Sequence, residues 1–344
     1  MMGFLQRQWF LTVLVALMAV GTGLGMSGHA PAAQAWLKYV DPKVTTAFIL
    51  FLMAFSLETR MLWAALRSPG PVALGFVINA GVLPLIAWPL CALQLTADFR
   101  YGLMVAAAVP STQAAAAVMT RRAGGNDAVS LLITMTTNMA CWMVIPFWLG
   151  LATGTAVEIN RTTLMLDLLY AVLLPTLLAQ LARQPRRIQT WATKHKQKIS
   201  NSAQLLILVI VFIAALKAGD ALHKHAPGAA PTVSQISTPA GAVAPDEISI
   251  PAVGLVWLCC IGLHLFGLIA GLRAGRLLGM STTDSDAVGF AGSQKTLPIG
   301  LYLATTVFAN HHFALLPMLL FHASQLFIDT LVSARLADSQ AAKG

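Results

Sequence analysis

The chain has 344 residues, 57% of them hydrophobic and only 10% charged, with a net charge of +9 and a mean hydropathy of +0.72. A soluble domain carries about a quarter charged residues, so this chain cannot cover a water-facing surface, and its hydrophobicity excludes disorder. The composition is that of a polytopic membrane protein. Its basic residues cluster between apolar runs and not among exposed aromatics, which excludes nucleic acid as a partner and leaves the lipid bilayer. The four cysteines, Cys91, Cys141, Cys259 and Cys260, lie in apolar runs without C-x-x-C spacing, so neither disulfides nor a metal ribbon are indicated.

A membrane helix takes about 20 mostly apolar residues. Stretches of that kind are predicted at 9–28, 44–65, 71–95, 100–120, 127–150, 163–182, 202–219, 249–272, 286–308 and 313–335, ten in all. The first is too long for the apolar region of a secretory signal and is read as a retained span. Residues 183–201 form a basic cytoplasmic connector, in part helical and lying at anionic headgroups. Residues 219–248, rich in Ala, Pro, Gly, Ser and Thr, form a flexible external loop; both segments read as connectors and not as sites. With ten spans, fifteen basic residues fall on one side and six on the other, Lys295 lying within a span. The positive-inside rule then places both termini in the cytoplasm of a cell with this protein in its inner membrane.

Ten spans divide into five and five near Arg161, giving repeats at 1–160 and 161–344. Five is odd, so the second half runs with opposite topology to the first, as in inverted-repeat transporters whose sites lie at the midplane between broken helices. The fourth span of the first half contains Val109, Pro110, Ser111, Thr112 and Gln113. The fourth span of the second contains Gly292, Ser293, Gln294, Lys295, Thr296, Leu297 and Pro298. Each proline, Pro110 and Pro298, removes a helix donor, and the polar runs beside them stand at bilayer depth, so matched helix breaks are expected. Half-helices beginning near Ser111 and Lys295 would present partial positive charge to an anionic group. A lysine at mid-bilayer must face a cavity or a partner, which makes Lys295 the sharpest single candidate.

In the fifth span Ser130, Thr134 and Asn138 recur every four residues and share one face, with Thr137 beside Asn138. Glu58 ends the second span near Arg60. His264 reads as an interhelical hydrogen bonder, and His322, Ser324, Gln325 and Asp329 form a polar stripe of the last span, read as helix packing. Asp167, near a membrane end, carries little information.

The run from Pro110 to Asp127, the segment Phe290 to Leu297, the end of the second span at Ser56-Leu57-Glu58-Thr59, and the start Gln8-Trp9-Phe10 resemble the bile acid:sodium symporter superfamily. The resemblance is to the branch that includes the seventh member of the vertebrate solute carrier 10 family, and it extends over nearly the whole chain. It implies an all-α membrane protein of ten helices in two inverted five-helix repeats, a panel and a core, with the fourth and ninth helices unwound and crossing. It also implies sodium as coupling ion, held by Ser130 and Thr134 of the fifth helix and Gln294 of the ninth, to which Asn138 is added from its place on the same face. The family's Ser-Asn pair is replaced by Ala116 and Ala117, and its ninth-helix carboxylate falls at Phe290 or Ala291. Lys295 then stands as a built-in positive charge where relatives recruit sodium, attracting an anionic substrate or titrating to couple transport to protons.

The expected function is a secondary transporter of a small organic anion working by alternating access, with Ser111, Thr112, Gln113, Ser293, Lys295 and Thr296 at the substrate. The protein is expected as a monomer or homodimer with no cofactor beyond the coupling ion. A channel or a non-transporting regulatory protein of the same fold is the alternative. An enzyme is not expected, because neither H-E-x-x-H nor paired intramembrane aspartates occur, and the lack of a P-loop argues against ATP-driven transport.

Overall fold

The computed structural model describes residues 9–27, 40–57, 69–113, 115–153, 160–224 and 249–341, and every regular element among them is helical. In chain order these are α1 (Trp9–Met26), α2 (Pro42–Phe55), α3 (Pro69–Ala92), α4 (Ala97–Ala108), α5 (Ala115–Arg122), α6 (Asp127–Thr153) and α7 (Arg161–Ala182). They continue as α8 (Arg186–Lys194), α9 (Lys196–Lys224), α10 (Ile250–Leu277), α11 (Thr282–Ser293), α12 (Leu297–Thr306) and α13 (Leu316–Ala341). Six of them, α3, α6, α7, α9, α10 and α13, contain stretches long and apolar enough to cross a bilayer, and α1 and α2 are shorter apolar helices. The chain is a multi-pass membrane protein.

Local chemistry sets the helix ends. Thr96, Asn160, Ser249 and Ser281 each precede a helix and accept a hydrogen bond from one of its first free amides, and Asp41 accepts from two, Lys43 and Val44. Gly124 and Gly279 adopt positive φ, 81° and 75°, just past the ends of α5 and α10, where a Cβ would be strained. The predicted external loop starts later than expected, since α9 stays helical to Lys224. The rest of that loop, residues 225–248, and Glu58 and Arg60 lie outside the described residues.

Both predicted interruptions are present. The chain leaves the helix between α4 and α5, with Val109 in extended conformation ahead of Pro110, and again between α11 and α12, where Gln294 is extended. The half-helices begin later than expected, α12 at Leu297 with Pro298 in its first turn, so Lys295 stands two residues before its first turn. Thr296, and not Lys295, occupies the cap position.

Two further irregularities have one cause. In α3 and α7 a single wide turn, Ile78–Val82 and Leu169–Leu173, replaces the α pattern, and each is followed by Leu-Pro: Leu83-Pro84 and Leu174-Pro175. A proline inside a helix has no N–H, and its ring collides with the carbonyl four residues back. Widening one turn relieves the collision: the Leu83 amide reaches back five residues to the Ile78 carbonyl, and Leu174 does the same to Leu169.

The helices pack in two groups. α1, α2, α7 and α9 lie against one another, whereas α3, α6, α10 and α13 surround the two broken helices. Packing around α11 is close because small residues allow it: a Cβ on Gly271 of α10 would stand 2.7 Å from the Gly289 Cα of α11.

Candidate functional site

The two breaks meet. The Thr296 amide donates to the Pro110 carbonyl at 2.8 Å, the Lys295 ammonium donates to the Val109 carbonyl at 3.0 Å, and the Thr112 hydroxyl donates to the Gln294 side-chain oxygen. Ser111, Thr112, Gln113, Ser293, Gln294, Lys295 and Thr296, singled out in sequence, are all buried and all belong to this junction or its margins. The unwound backbone is thus satisfied by the other break and by neighbouring side chains, as burial in a bilayer demands.

Lys295 is the centre of the junction. Its side chain is 0% exposed and donates to two main-chain carbonyls, Asn79 at 2.7 Å and Val109 at 3.0 Å. Both are available for local reasons. Val109 ends α4 ahead of a proline, so its carbonyl has lost its helical donor. Asn79 lies in the wide turn of α3: the Leu83 amide that would serve it bonds to Ile78 instead, and residue 84, next in line, is proline. The neighbouring Ala80 carbonyl loses Pro84 as its donor as well and accepts from the Trp148 indole at 2.8 Å. Among the described residues no carboxylate lies in ion-pair range of the Lys295 ammonium, which has three donors and spends two on these carbonyls.

The last helix holds the other side. Gln325 reads the Lys295 main chain twice, its oxygen accepting from the Lys295 amide at 2.8 Å and its nitrogen donating to the Lys295 carbonyl at 2.9 Å. His322 lies against Gln325 at 2.8 Å. Asp329, wholly buried, accepts from the Gln294 amide nitrogen at 2.6 Å and contacts His264 Nε2 at 2.9 Å. His264 faces the Ser293 carbonyl with its other nitrogen at 3.4 Å. Of the predicted helix-packing stripe, His322, Gln325 and Asp329 pack on the site itself, whereas Ser324 accepts from the Trp257 indole of α10 at 2.9 Å, and His264 bonds between helices as its sequence position implied. Asp167, near its helix end, pairs with Lys43 of α2, away from this junction.

From α6, Thr134 donates to the Ser111 hydroxyl and the Thr112 carbonyl, Asn138 donates to the Ser111 carbonyl at 3.0 Å, and the Thr137 hydroxyl accepts from the Ser111 amide. Ser130, Thr134 and Asn138 are all buried. On α3, α6 and the first break four buried side-chain oxygens have no hydrogen-bond partner, Asn79 Oδ1, Gln113 Oε1, Ser130 Oγ and Asn138 Oδ1, and a buried oxygen left so costs about 1–3 kcal/mol. Gln294 differs: its oxygen is taken by Thr112 and its nitrogen by Asp329.

Asn79 was not singled out from sequence. Its amide nitrogen donates to the Gln294 carbonyl at 2.9 Å and to the Gly292 carbonyl at 3.2 Å, so it holds the second break while its own carbonyl receives Lys295. The signal was present: Asn79 is the one amide in the apolar run 71–92, five residues before a proline.

A membrane protein whose helices break in pairs, with unwound backbone and a buried ammonium gathered between them, has the break pattern of a membrane transporter. The model of the SBF-like CPA transporter family matches residues 8–227 and 233–338, and the chain belongs to that family. Among curated proteins it is similar to sodium/bile acid cotransporter 7 of Danio rerio, 23% identical over 340 residues that span 95% of this chain and 93% of the relative. The same-named protein of Rattus norvegicus is also 23% identical, over 95% of this chain and 92% of the relative. The probable sodium/metabolite cotransporter BASS4, chloroplastic, of Arabidopsis thaliana is 23% identical over 91% of this chain and 69% of its own. The protein is a membrane transporter of this family and not an enzyme, which places it in the superfamily that the two break motifs resemble.

Proposed function

We propose that the chain is a secondary active transporter that moves a small organic anion by alternating access. The observation that supports this most is Lys295: a buried ammonium with one donor unspent and, among the described residues, no carboxylate in range, at the meeting of two helix breaks. A lysine at bilayer depth costs at least about 2.5–3.5 kcal/mol, and the two carbonyl bonds offset part of it. A substrate carboxylate or comparable anion would complete its coordination, with Ser111, Thr112, Gln113, Ser293 and Thr296 as polar neighbours.

In this reading the chain spans the bilayer ten times, as α1, α2, α3, α4 with α5, and α6 for the first repeat (1–160). The second repeat (161–344) comprises α7, α9, α10, α11 with α12, and α13. The repeats are inverted, the termini are cytoplasmic, and the protein resides in a cell's inner membrane. The group formed by α1, α2, α7 and α9 serves as the panel against which the group around the broken helices moves.

The coupling ion follows from the α6 face. Gln113 Oε1, Ser130 Oγ and Asn138 Oδ1 are unpartnered hard oxygens of the type sodium takes; Ser130 and Asn138 stand one turn to either side of Thr134, about 12 Å apart along the helix, so one ion would take its ligands from one of them together with Thr134. Ala116 and Ala117 supply no ligand, and Asp329 is committed to His264 and Gln294. Gln294 ties the two breaks through Thr112 and Asp329, and its oxygen keeps a second lone pair for the coupling ion.

The test is ligand-induced thermal stabilisation, and uptake into liposomes, of the purified full chain against a panel of organic anions, with and without sodium at two pH values. Stabilisation that needs sodium assigns the α6 oxygens to the ion. Stabilisation that ignores sodium and follows pH assigns coupling to Lys295. A panel without effect in all conditions overturns the transport reading.

A further inference from the structure

The connector between α7 and α9, which the sequence places at the headgroups, is built as a surface. Arg183, at the end of α7, is 1% exposed. Its guanidinium donates to the Phe55 carbonyl at 2.6 Å and to the Thr193 hydroxyl at 2.8 Å. One turn earlier Gln180 donates to the Ala54 carbonyl at 2.6 Å. The Ala54 and Phe55 carbonyls at the end of α2 are thus capped by α7, Ala54 sharing its oxygen with the Leu57 amide, and α8 is fastened to the same spot through Thr193.

That fastening fixes the roll of α8 about its axis. At 100° per residue Ala192, Gln189 and Thr193 occupy one arc, and Ala192 is wholly buried. The opposite flank carries Ile188, Trp191, Arg187 and Lys194 within an arc of about 120°. Trp191 is 54% and Ile188 39% exposed, and Arg187 and Lys194 are exposed beside them. Trp191 is steadied by Phe55, 6.5 Å away between ring centroids, and by His195 at 4.8 Å. A half-exposed indole and an aliphatic side chain flanked by two cations match a headgroup layer, where aromatic rings sit at the boundary and Lys and Arg reach the phosphates.

We propose that α8 is a binding surface for anionic phospholipid, anchoring the α1, α2, α7 and α9 group at one face of the bilayer. The occupant follows from charge: α8 bears Arg186, Arg187 and Lys194 and no acidic residue, and Lys196 and Lys198 follow at the start of α9. A zwitterionic headgroup would leave that charge unmatched. Each basic side chain near an anionic surface contributes about fivefold to partition. The surface stands apart from the transport site, so it holds or fails independently of the function proposed for that site.

The test titrates the detergent-solubilised full chain with phosphatidylglycerol or phosphatidylcholine carrying a spin-label quencher near the headgroup, and takes the Trp191 signal as the difference between the wild type and Trp191→Phe. Phosphatidylglycerol is expected to quench Trp191 at far lower concentration than phosphatidylcholine, and less effectively as salt rises. The paired substitutions Arg187→Gln and Lys194→Gln are expected to raise the half-quenching concentration about 25-fold, two side chains at about fivefold each. Both side chains are exposed, so an unchanged thermal midpoint accompanies that shift. Equal quenching by the two lipids, no shift in the paired variant, or displacement by inorganic phosphate at matching concentration would each overturn the proposal.

Discussion

The ammonium of Lys295 and the main-chain carbonyl of Asn79 meet at 2.7 Å, and what frees that carbonyl is a proline five residues further along α3. Pro84 has no amide to offer, and the widened turn ahead of it redirects the Leu83 amide to Ile78. A helix irregularity in one part of the chain thereby supplies half the coordination of a lysine more than 200 residues away.

The first prediction follows from that relationship. Pro84→Ala restores an amide that can return to the Ala80 carbonyl and regularise α3. A proline in a helix interior costs about 3 kcal/mol, so the thermal midpoint is expected to hold or rise. Uptake of whichever organic anion stabilises the wild type is expected to fall at least about tenfold, because losing one charge-assisted bond at the site costs about 1.5–3 kcal/mol. Full uptake by this variant would reduce the wide turn to a local repair.

Lys295→Met removes the buried charge and keeps most of the volume. Two carbonyls lose a donor, at about 1–3 kcal/mol each, while the cost of burying the ammonium disappears. The expected result is a folded protein with a midpoint near the wild-type value, without anion-induced stabilisation or uptake. Scanning fluorimetry with and without the anion measures both, and retained stabilisation would remove Lys295 from the site.

Thr112 and Gln294 tie one break to the other, and Gln294 is held in turn by Asp329. Thr112→Val and Gln294→Leu together should therefore cost less than the sum of the two single changes. A coupling of about 0.5–3 kcal/mol is expected for groups in one buried network. The readout is thermal unfolding of all four proteins, and strict additivity would show that the two side chains act separately.

Gly271→Ala tests the packing of α10 on α11. The new methyl would stand 2.7 Å from Gly289 Cα, against backbone that cannot swing aside as a side chain can. Overpacking of this kind costs about 1–3 kcal/mol. A lowered midpoint is expected, whereas Gly262→Ala, on the same helix with open space at its Cβ, should leave it unchanged.

Much of this was legible in the chain. The apolar runs placed the membrane helices because a 3.6-residue helix needs about 20 apolar residues to cross, and α6, with residues 127–150 expected and Asp127–Thr153 observed, shows how closely length alone locates them. Pro110 and Pro298, each beside a polar run, located the two breaks, since a missing donor interrupts a helix wherever the chain lies. The spacing of Ser130, Thr134 and Asn138 placed them on one face, and that face meets Ser111 and Thr112.

What the sequence could not determine is which distant groups answer those interruptions. Lys295 was visible as a charge in need of a partner, but its partners are main-chain carbonyls, which every residue possesses and no side-chain pattern advertises. Asn79 looked like one amide in an apolar helix, and Gln325 and Asp329 like a packing stripe, until the close approach of α3 and α13 brought them to the second break. Periodicity and proline chemistry are local and can be read along the chain. The pairing of unsatisfied backbone groups with side chains hundreds of residues away is a property of helix packing, and only the tertiary structure decides it.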